Sequence, residues 1–312
     1  CTERLYDPFL MKDMDIACNR ILKAIESKEK IMITSDYDVD GTCGAAIFYL
    51  FMKKFGIECE VYIPERESEG HGISEQSIYL AKREGINLIV AIDFGITAYD
   101  KIELANSLGV EFIICDHHQL PEKIPRALAV LDPLRPDCNY PSKDLCGTGV
   151  AFKLIQAVCQ KLNVPDYPLE LLDYVAIATA TDFADLTDEN RIMVDIGFDL
   201  LNKKKRPSLK KLVDSIDLQK NEITSTGVIF SIASKLNAVC RLGDAKESFD
   251  FLICEDDKEL EKRLSDLDET NSDKREIGYE ITKQAIEMVE NTNPQEMLNS
   301  IIIHNPDWHP GV

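Results

Sequence analysis

The stretch SDYDVDG sets Asp36, Asp38 and Asp40 at alternate positions just after the apolar run KIMI. In extended backbone, residues two apart point to one side, so the three carboxylates project together as far as strand geometry continues. Left unpaired they would repel and raise one another's pKa values. A divalent cation relieves that repulsion, and hard oxygen donors suit Mg²⁺ or Mn²⁺. The alternative is a solvated turn, or an Asx cap for a helix opening near Gly41, and this stretch alone does not choose between them. AIDFGIT adds Asp93 at the end of a second apolar run, and IICDHHQL adds Asp116, His117 and His118 at the end of a third. Adjacent histidines after a buried strand need a polar partner for at least one ring. Neutral imidazole is a good Mn²⁺ ligand, and an adjoining carboxylate can fix its tautomer. In ATATDFADLTDENR, Asp182 closes a small, uncharged stretch. Together these segments supply enough carboxylates and imidazoles for two metals.

Elements of two kinds must position them. From residue 13 to about 135, helix-period and strand-period segments alternate, which implies a parallel sheet with covering helices. Strands are expected at 30–34, 59–63, 87–93, 111–116 and 127–132, with amphipathic helices at about 41–55, 74–84 and 98–108. Three of the five strands finish on an aspartate. In open α/β sheets ligands bind beyond the carboxyl ends of the strands, so these acids converge on one rim. After about residue 145 the pattern is mostly helical, with helices expected at 148–163, 168–182, 190–203, 207–215 and 224–237. Charged residues between 255 and 292 interleave with Leu260, Leu264, Leu267, Ile277, Ile281 and Ile286, the pattern of one long, half-exposed helix. NSIIIH then starts a strand. The expected fold is therefore α/β: a parallel five-stranded sheet flanked by helices, with a mostly helical C-terminal part and a long connecting helix.

Composition narrows the function classes. The 312 residues carry 35 Lys plus Arg against 55 Asp plus Glu, a formal charge of -20. That balance argues against a protein that coats long stretches of nucleic-acid backbone by bulk electrostatics, so a phosphate partner must be met locally. Bound divalent ions would invert the sign of an acidic cleft. The ten cysteines are scattered without a C-x-x-C pair, which reads as reduced thiols in a cytoplasmic protein. No run approaches the roughly 18 apolar residues of a membrane span. The start at Cys1 and the finish at HPGV suggest an excised piece of something longer. The one dense basic run, LNKKKRPSLKKLV at 201–213, reads as a solvated helix end and loop, with a nucleic-acid contact as the alternative. CGTGVAF fits a tight helix-start turn at Gly147 and Gly149 better than an anion-binding helix end.

SDYDVDG, IDFGIT, CDHHQ and ATDFADLTDENR, in that order and spacing, resemble the four motifs of the DHH phosphoesterase superfamily. YDPFLMKDM, PERESEGHGI, LDPLRPDCNYP, LCGTGVAFKL and LNAVCRLGDA resemble its RecJ-type branch of single-strand-specific exonucleases, so that the resemblance covers essentially the whole chain. It implies a DHH catalytic domain over 1–254, with the α/β core at about 13–135 and the helical part at about 145–254. A linker helix over 255–292 and the start of a truncated DHH-associated domain over 293–312 would follow. The implied activity is a metal-dependent phosphodiesterase that degrades single-stranded DNA from 5′ to 3′, releases 5′-mononucleotides, and serves repair and recombination. The alternatives are a DHH hydrolase of short oligonucleotides or cyclic dinucleotides, and a non-catalytic replication scaffold.

Carried over residue by residue, the resemblance implies two divalent cations, Mn²⁺ or Mg²⁺. One would be held by Asp40, Asp93, His117 and Asp182, the other by Asp38 and Asp93 with Asp36. Asp116 would orient His117, and His118 would face the scissile phosphate. Arg66, Asn237 and Arg241 are the implied substrate contacts. Single-stranded DNA is the implied partner, with a single-strand-binding protein or a helicase beside it and no membrane. Three departures stand out: Thr34 and Ser35 replace the family's His or Tyr and Gly, His71 replaces an aromatic residue between two glycines, and SKLNAVCRLG replaces a P-R-I-N-A-x-G-R pattern. The first puts the strength of the second metal site in question.

Overall fold

The computed structural model of the protein describes residues 4–216, 223–242, 244–291 and 301–309. Five strands form one parallel sheet: β1 (Ile31–Ser35), β2 (Cys59–Tyr62), β3 (Leu88–Ile92), β4 (Glu111–Cys115) and β5 (Ala129–Leu131), in the order β2-β1-β3-β4-β5. Each falls within two residues of its expected bounds. β1, β3 and β5 are buried along their whole length, as Ile- and Val-rich runs must be when helices cover both faces of a sheet. Alternation divides the side chains between two cores. Ile31, Ile33, Val90 and Ile113 pack on one face beneath α1 (Met14–Ser27), α2 (Val39–Lys54) and α6 (Gly147–Lys161). Met32, Ile89, Ala91, Phe112 and Ile114 face the opposite core, with residues of α4 (Glu75–Arg83) and α5 (Tyr99–Leu108). The sequence reading omitted α1 and the single turn α3 (Arg66–Glu69). α1 is amphipathic, with Ala17, Cys18, Ile21 and Ala24 buried at helical spacing.

The strand order reverses between β1 and β3. From β1 the chain crosses to β2 on one side and then returns to β3 on the other, so the connections diverge and leave a crevice at the strands' carboxyl ends. The helical part closes one side of it. α7 (Leu172–Thr181), buried over nearly its whole length, packs on α2 and on α8 (Asp188–Asn202). α9 (Pro207–Asp214), the short α10 (Ser225–Gly227), a wide π turn (Val228–Ile232), α11 (Ala233–Leu242) and α12 (Ala245–Ile253) complete it.

α13 (Asp257–Glu290) is the expected long helix. Its first half buries Leu260, Leu267 and Asn271 against α9, α11 and α12, while Ile286 in its second half is 53% exposed, in keeping with a half-exposed helix. Residues 301–305 form no strand with any other described residues, and Ile302 is exposed. Residues 292–300, where the expected strand begins, lie outside the described residues. Among the described residues no helix is long and apolar enough to cross a membrane.

Candidate metal centre

Asp36, Asp93, Asp116 and Asp132 are each the first residue after a strand, at the carboxyl ends of β1, β3, β4 and β5. Convergence on one rim thus follows from the parallel topology. The three acids of SDYDVDG meet it differently from the strand alternation expected. β1 stops at Ser35, and helix α2 begins at Val39 with Asp38 as its N-cap, the carboxylate accepting from Gly41 N at 3.1 Å. Asp36 lies before the turn, and Asp40 already belongs to the first turn of α2. The fold therefore makes Asp38 an Asx cap and a member of the acidic cluster at once. A side chain at Gly41 would put its Cβ 2.3 Å from the Asp36 carbonyl oxygen, so only glycine lets the turn close this tightly.

Asp40 is 2% exposed and points at the start of α6. Its carboxylate accepts from Gly147 N at 2.6 Å and from Thr148 N at 2.8 Å, and the Thr148 hydroxyl donates to the Asp40 carbonyl at 2.6 Å. These are charge-assisted bonds at the positive end of a 15-residue helix. CGTG is therefore both the tight turn expected and an anion-binding helix end, and the anion is this chain's own aspartate. The sequence signal was the glycine-flanked helix start; the partner, more than a hundred residues away, had no local signature.

Asp93 adopts a left-handed backbone, φ 66°, and is anchored by its N–H on the Cys115 carbonyl at 2.8 Å. Aspartate tolerates this region better than most residues, yet such strain persists only where its surroundings impose it. Donor atoms of Asp36, Asp38 and Asp93 lie within 4.8 Å of one another, and so do those of Asp40, His117 and Asp182. His117 joins the two groups: Nε2 is 3.1 Å from Asp93 Oδ1 and 3.8 Å from Asp40 Oδ2, while Nδ1 is 3.8 Å from Asp182 Oδ2. Asp93, His117 and His118 make a third set within the same reach.

This much buried acid is electrostatically unfavourable. Burial, then the charges of Asp40 and Asp36, pushes Asp38 up to about 6. Burial and Asp40 lift Asp182 to about 6, and Asp93, surrounded by four carboxylates, is raised well above the ordinary range. The neighbouring imidazoles offset only part of this repulsion at Asp182, and a divalent cation among the carboxylates would relieve the rest.

Asp116 differs from expectation. Its Oδ1 contacts the ring of His118, with Nδ1 at 2.7 Å, and accepts from the backbone N–H groups of His117 and His118; Oδ2 accepts from Ile96 N at 2.8 Å. It orients the imidazole of His118, not that of His117, because the turn after β4 carries the His117 ring away toward Asp93 and Asp182. Despite burial, the bonds from His118 keep Asp116 below its ordinary value, and in return Asp116 raises His118 to about 9.

Asp36, Asp38, Asp40 and Asp182 open into a cavity of about 410 Å³ that Arg66 and Asn237 also line. The guanidinium of Arg66 lies over the Tyr37 ring, 5.5 Å from its centroid. His71 reaches Asp36 at 3.4 Å. The side chain of Arg241 lies outside the described residues. Half of the six cations in the basic run at 201–213 are committed elsewhere: Arg206 pairs with Asp173, Lys204 with Asp214 and Lys211 with Glu261.

The end of the fourth motif, Glu189 and Asn190, supports the site without entering it. Asn190 donates to the carbonyls of Asp144 and Asp185 at 2.7 and 3.1 Å, tying down the loop after Asp182. Glu189, fully buried, accepts from Tyr140, Tyr6 N and Lys153. One feature escaped the sequence reading, this Lys153–Glu189 pair; Asp132 stands on the rim as the strand-ending aspartates were expected to, and its buried Oδ2 accepts no hydrogen bond among the described residues.

Residues 30–179 match the DHH family, N-terminal domain. The single-stranded-DNA-specific exonuclease RecJ of Bacillus subtilis (strain 168) is 38% identical over 98% of this chain, which spans 38% of that protein. The enzyme of the same name from Thermus thermophilus is 28% identical over 97% of the chain, 43% of its own length. A crystal structure of exonuclease RecJ bound to manganese superposes with a TM-score of 0.86 at 28% identity, covering 96% of this chain and 75% of that one. The chain thus spans about half or less of the curated relatives' length. Four motifs on one rim, a matching domain and these relatives lead to one conclusion: the chain belongs to the DHH family, in its RecJ-type branch.

Proposed function

We propose that the protein is a metal-dependent phosphodiesterase that degrades single-stranded DNA from 5′ to 3′ and releases 5′-mononucleotides, in repair and recombination. The observation that carries this reading is the pair of donor groups, Asp36, Asp38, Asp93 and Asp40, His117, Asp182, gathered on one rim with Asp93 and His117 in contact between them. The donors fit two Mn²⁺ or Mg²⁺ ions: hard oxygens with one imidazole, among which burial and mutual repulsion raise Asp38, Asp93 and Asp182. Asp40, His117 and Asp182 would hold one ion and Asp36 and Asp38 the other, with Asp93 shared. When bound, such a pair supplies an activated water and neutralises charge building on the phosphate oxygens.

The chain's own groups do the rest. Backbone N–H groups of α6 fix Asp40, so its carboxylate meets a ligand without reorganising. His118, held by Asp116 and raised to about 9, stays protonated at neutral pH and donates to a phosphate oxygen. Arg66 and Asn237 receive the strand at the cavity mouth, with Arg241 on the same helix as Asn237. The manganese and single-strand specificity in the names of the relatives support this reading. Residues 1–254 would form the catalytic domain and α13 a linker leading away from it. The eight cysteines in the described residues with described side chains are all free thiols, consistent with a cytoplasmic protein. A single-strand-binding protein or a helicase is the fitting protein partner.

Digestion of 5′-labelled and 3′-labelled single strands with each metal tests the proposal. The expected result is mononucleotides from the 5′ end, lost in Asp93→Ala without loss of folding by circular dichroism. Faster cleavage of dinucleotides than of long strands, or near-normal turnover by the variant, would overturn it.

A further inference from the structure

The first residue after Asp182 is the most exposed aromatic side chain among the described residues. Phe183 is 77% exposed, in a chain that buries Phe48, Phe51, Phe94, Phe112, Phe152, Phe249 and Phe251. Leaving a phenyl ring in water forfeits the burial that normally places it. Its backbone is also unfavourable, with φ 57°, a left-handed conformation that an unbranched aromatic residue rarely adopts. Strain and exposure coincide at one residue, and that residue lines the metal cavity together with Asp182.

The loop is held, so the conformation is imposed. Asp182 caps α7 through its N–H on the Ala178 carbonyl at 2.9 Å, and Asn190 holds the Asp185 carbonyl at 3.1 Å. Between those anchors Phe183 is presented to the cavity rather than folded into α7 or α8. The cavity, about 410 Å³, has the size of one nucleotide-scale ligand. Its other rings, Tyr37 and His71, are already engaged: they meet edge-on, with centroids 6.1 Å apart, Tyr37 lies beneath Arg66, and His71 also meets the His118 ring edge-on. Phe183 is therefore the open π-face beside the acids.

We propose that Phe183 is a stacking platform for the base of a nucleotide flanking the scissile phosphate, and so sets how firmly the strand end is seated. The proposal rests on the phosphodiesterase reading above and adds a positioning residue to it. A phenyl face stacks on any base, so the contact is sequence-tolerant. It also needs a base free of a complementary strand, which makes it a selector for single strands.

The test is a cycle with the 312-residue chain in Mn²⁺, using 5′-phosphorylated oligodeoxynucleotides with an intact base or an abasic site at the first or the second position. For the wild type, removing the stacked base is expected to raise KM about 5- to 150-fold, the range of one base–aromatic stack, with kcat changed less. Phe183→Ala is expected to raise KM by a similar factor on the intact strand and to be nearly indifferent to the abasic site. Phe183→Trp is expected to restore discrimination, and Mn²⁺ affinity by calorimetry should stay within a few-fold in both variants. Coupling at either position supports the proposal. Cleavage by the wild type with the same abasic penalty in Phe183→Ala overturns the stacking role and leaves the phosphodiesterase reading standing. A wild type that neither binds nor cuts any of the strands overturns both.

Discussion

The contact between the start of α6 and Asp93 gives a sharp prediction. A Cβ on residue 147 would lie 2.5 Å from Asp93 Cβ, 2.6 Å from its Cα and 2.7 Å from its Oδ1. Unbonded carbons rest at about 3.5–4.0 Å, so Gly147→Ala demands a separation of roughly 1 Å between two anchored pieces of backbone. One is held by the bonds to Asp40, the other by the Asp93 N–H on Cys115. Overpacking of this kind costs about 1–3 kcal/mol, so the variant should fold, with a melting temperature lower by several degrees. The larger effect falls on the centre, because Asp40 and Asp93 belong to different donor groups and the methyl drives them apart. A displacement of about 1 Å near reacting groups costs on the order of 100-fold in rate, and disturbed ligand support costs about 10- to 100-fold in metal affinity. Gly149→Ala is the control: two residues on, its Cβ would meet Leu145 at an ordinary 3.5 Å. Mn²⁺ calorimetry, single-strand hydrolysis and thermal melts of the two variants form the assay. Near-normal affinity and turnover in Gly147→Ala, or equal losses in both variants, would refute the reasoning.

Three further outcomes follow from buried charge. Lys153→Met strands Glu189 without its cation at a site with no solvent access, which should cost about 3–5 kcal/mol, read from chemical denaturation; a change below about 1 kcal/mol would contradict it. Asp116→Asn removes the charge that raises His118, so its imidazole should titrate well below about 9 by NMR in metal-free protein, and an unchanged titration would show that the pair does not set it. Asp38, Asp93 and Asp182 have folded-state pKa values above the ordinary carboxylate range, so the metal-free folded state takes up protons as pH falls from about 7 to about 5. Stability should therefore rise over that fall and be lost again as pH climbs through about 6. Excess Mn²⁺ should reverse the trend, and melts across this range that show no such inversion would count against the cation site.

The sequence alone determined the strands and most of the donors, because both are local properties. A run as short as NLIVAI, set between helix-period segments, reads as a strand buried on both faces, and a parallel sheet brings all strand ends to one side, so Asp36, Asp93 and Asp116 share a rim. The motif spacing added Asp182 from outside the sheet. What each donor does there was decided by tertiary structure. Whether Asp38 caps a helix, whether Asp116 holds His117 or His118, and that the start of α6 grips Asp40 depend on turns and on partners up to 108 residues apart. The same holds for Lys153 and Glu189, which look like surface charges in the sequence and meet only when α7 packs on both α6 and α8. Periodicity reports which face of an element is apolar; it carries no record of which distant polar group that face will bring within hydrogen-bonding reach.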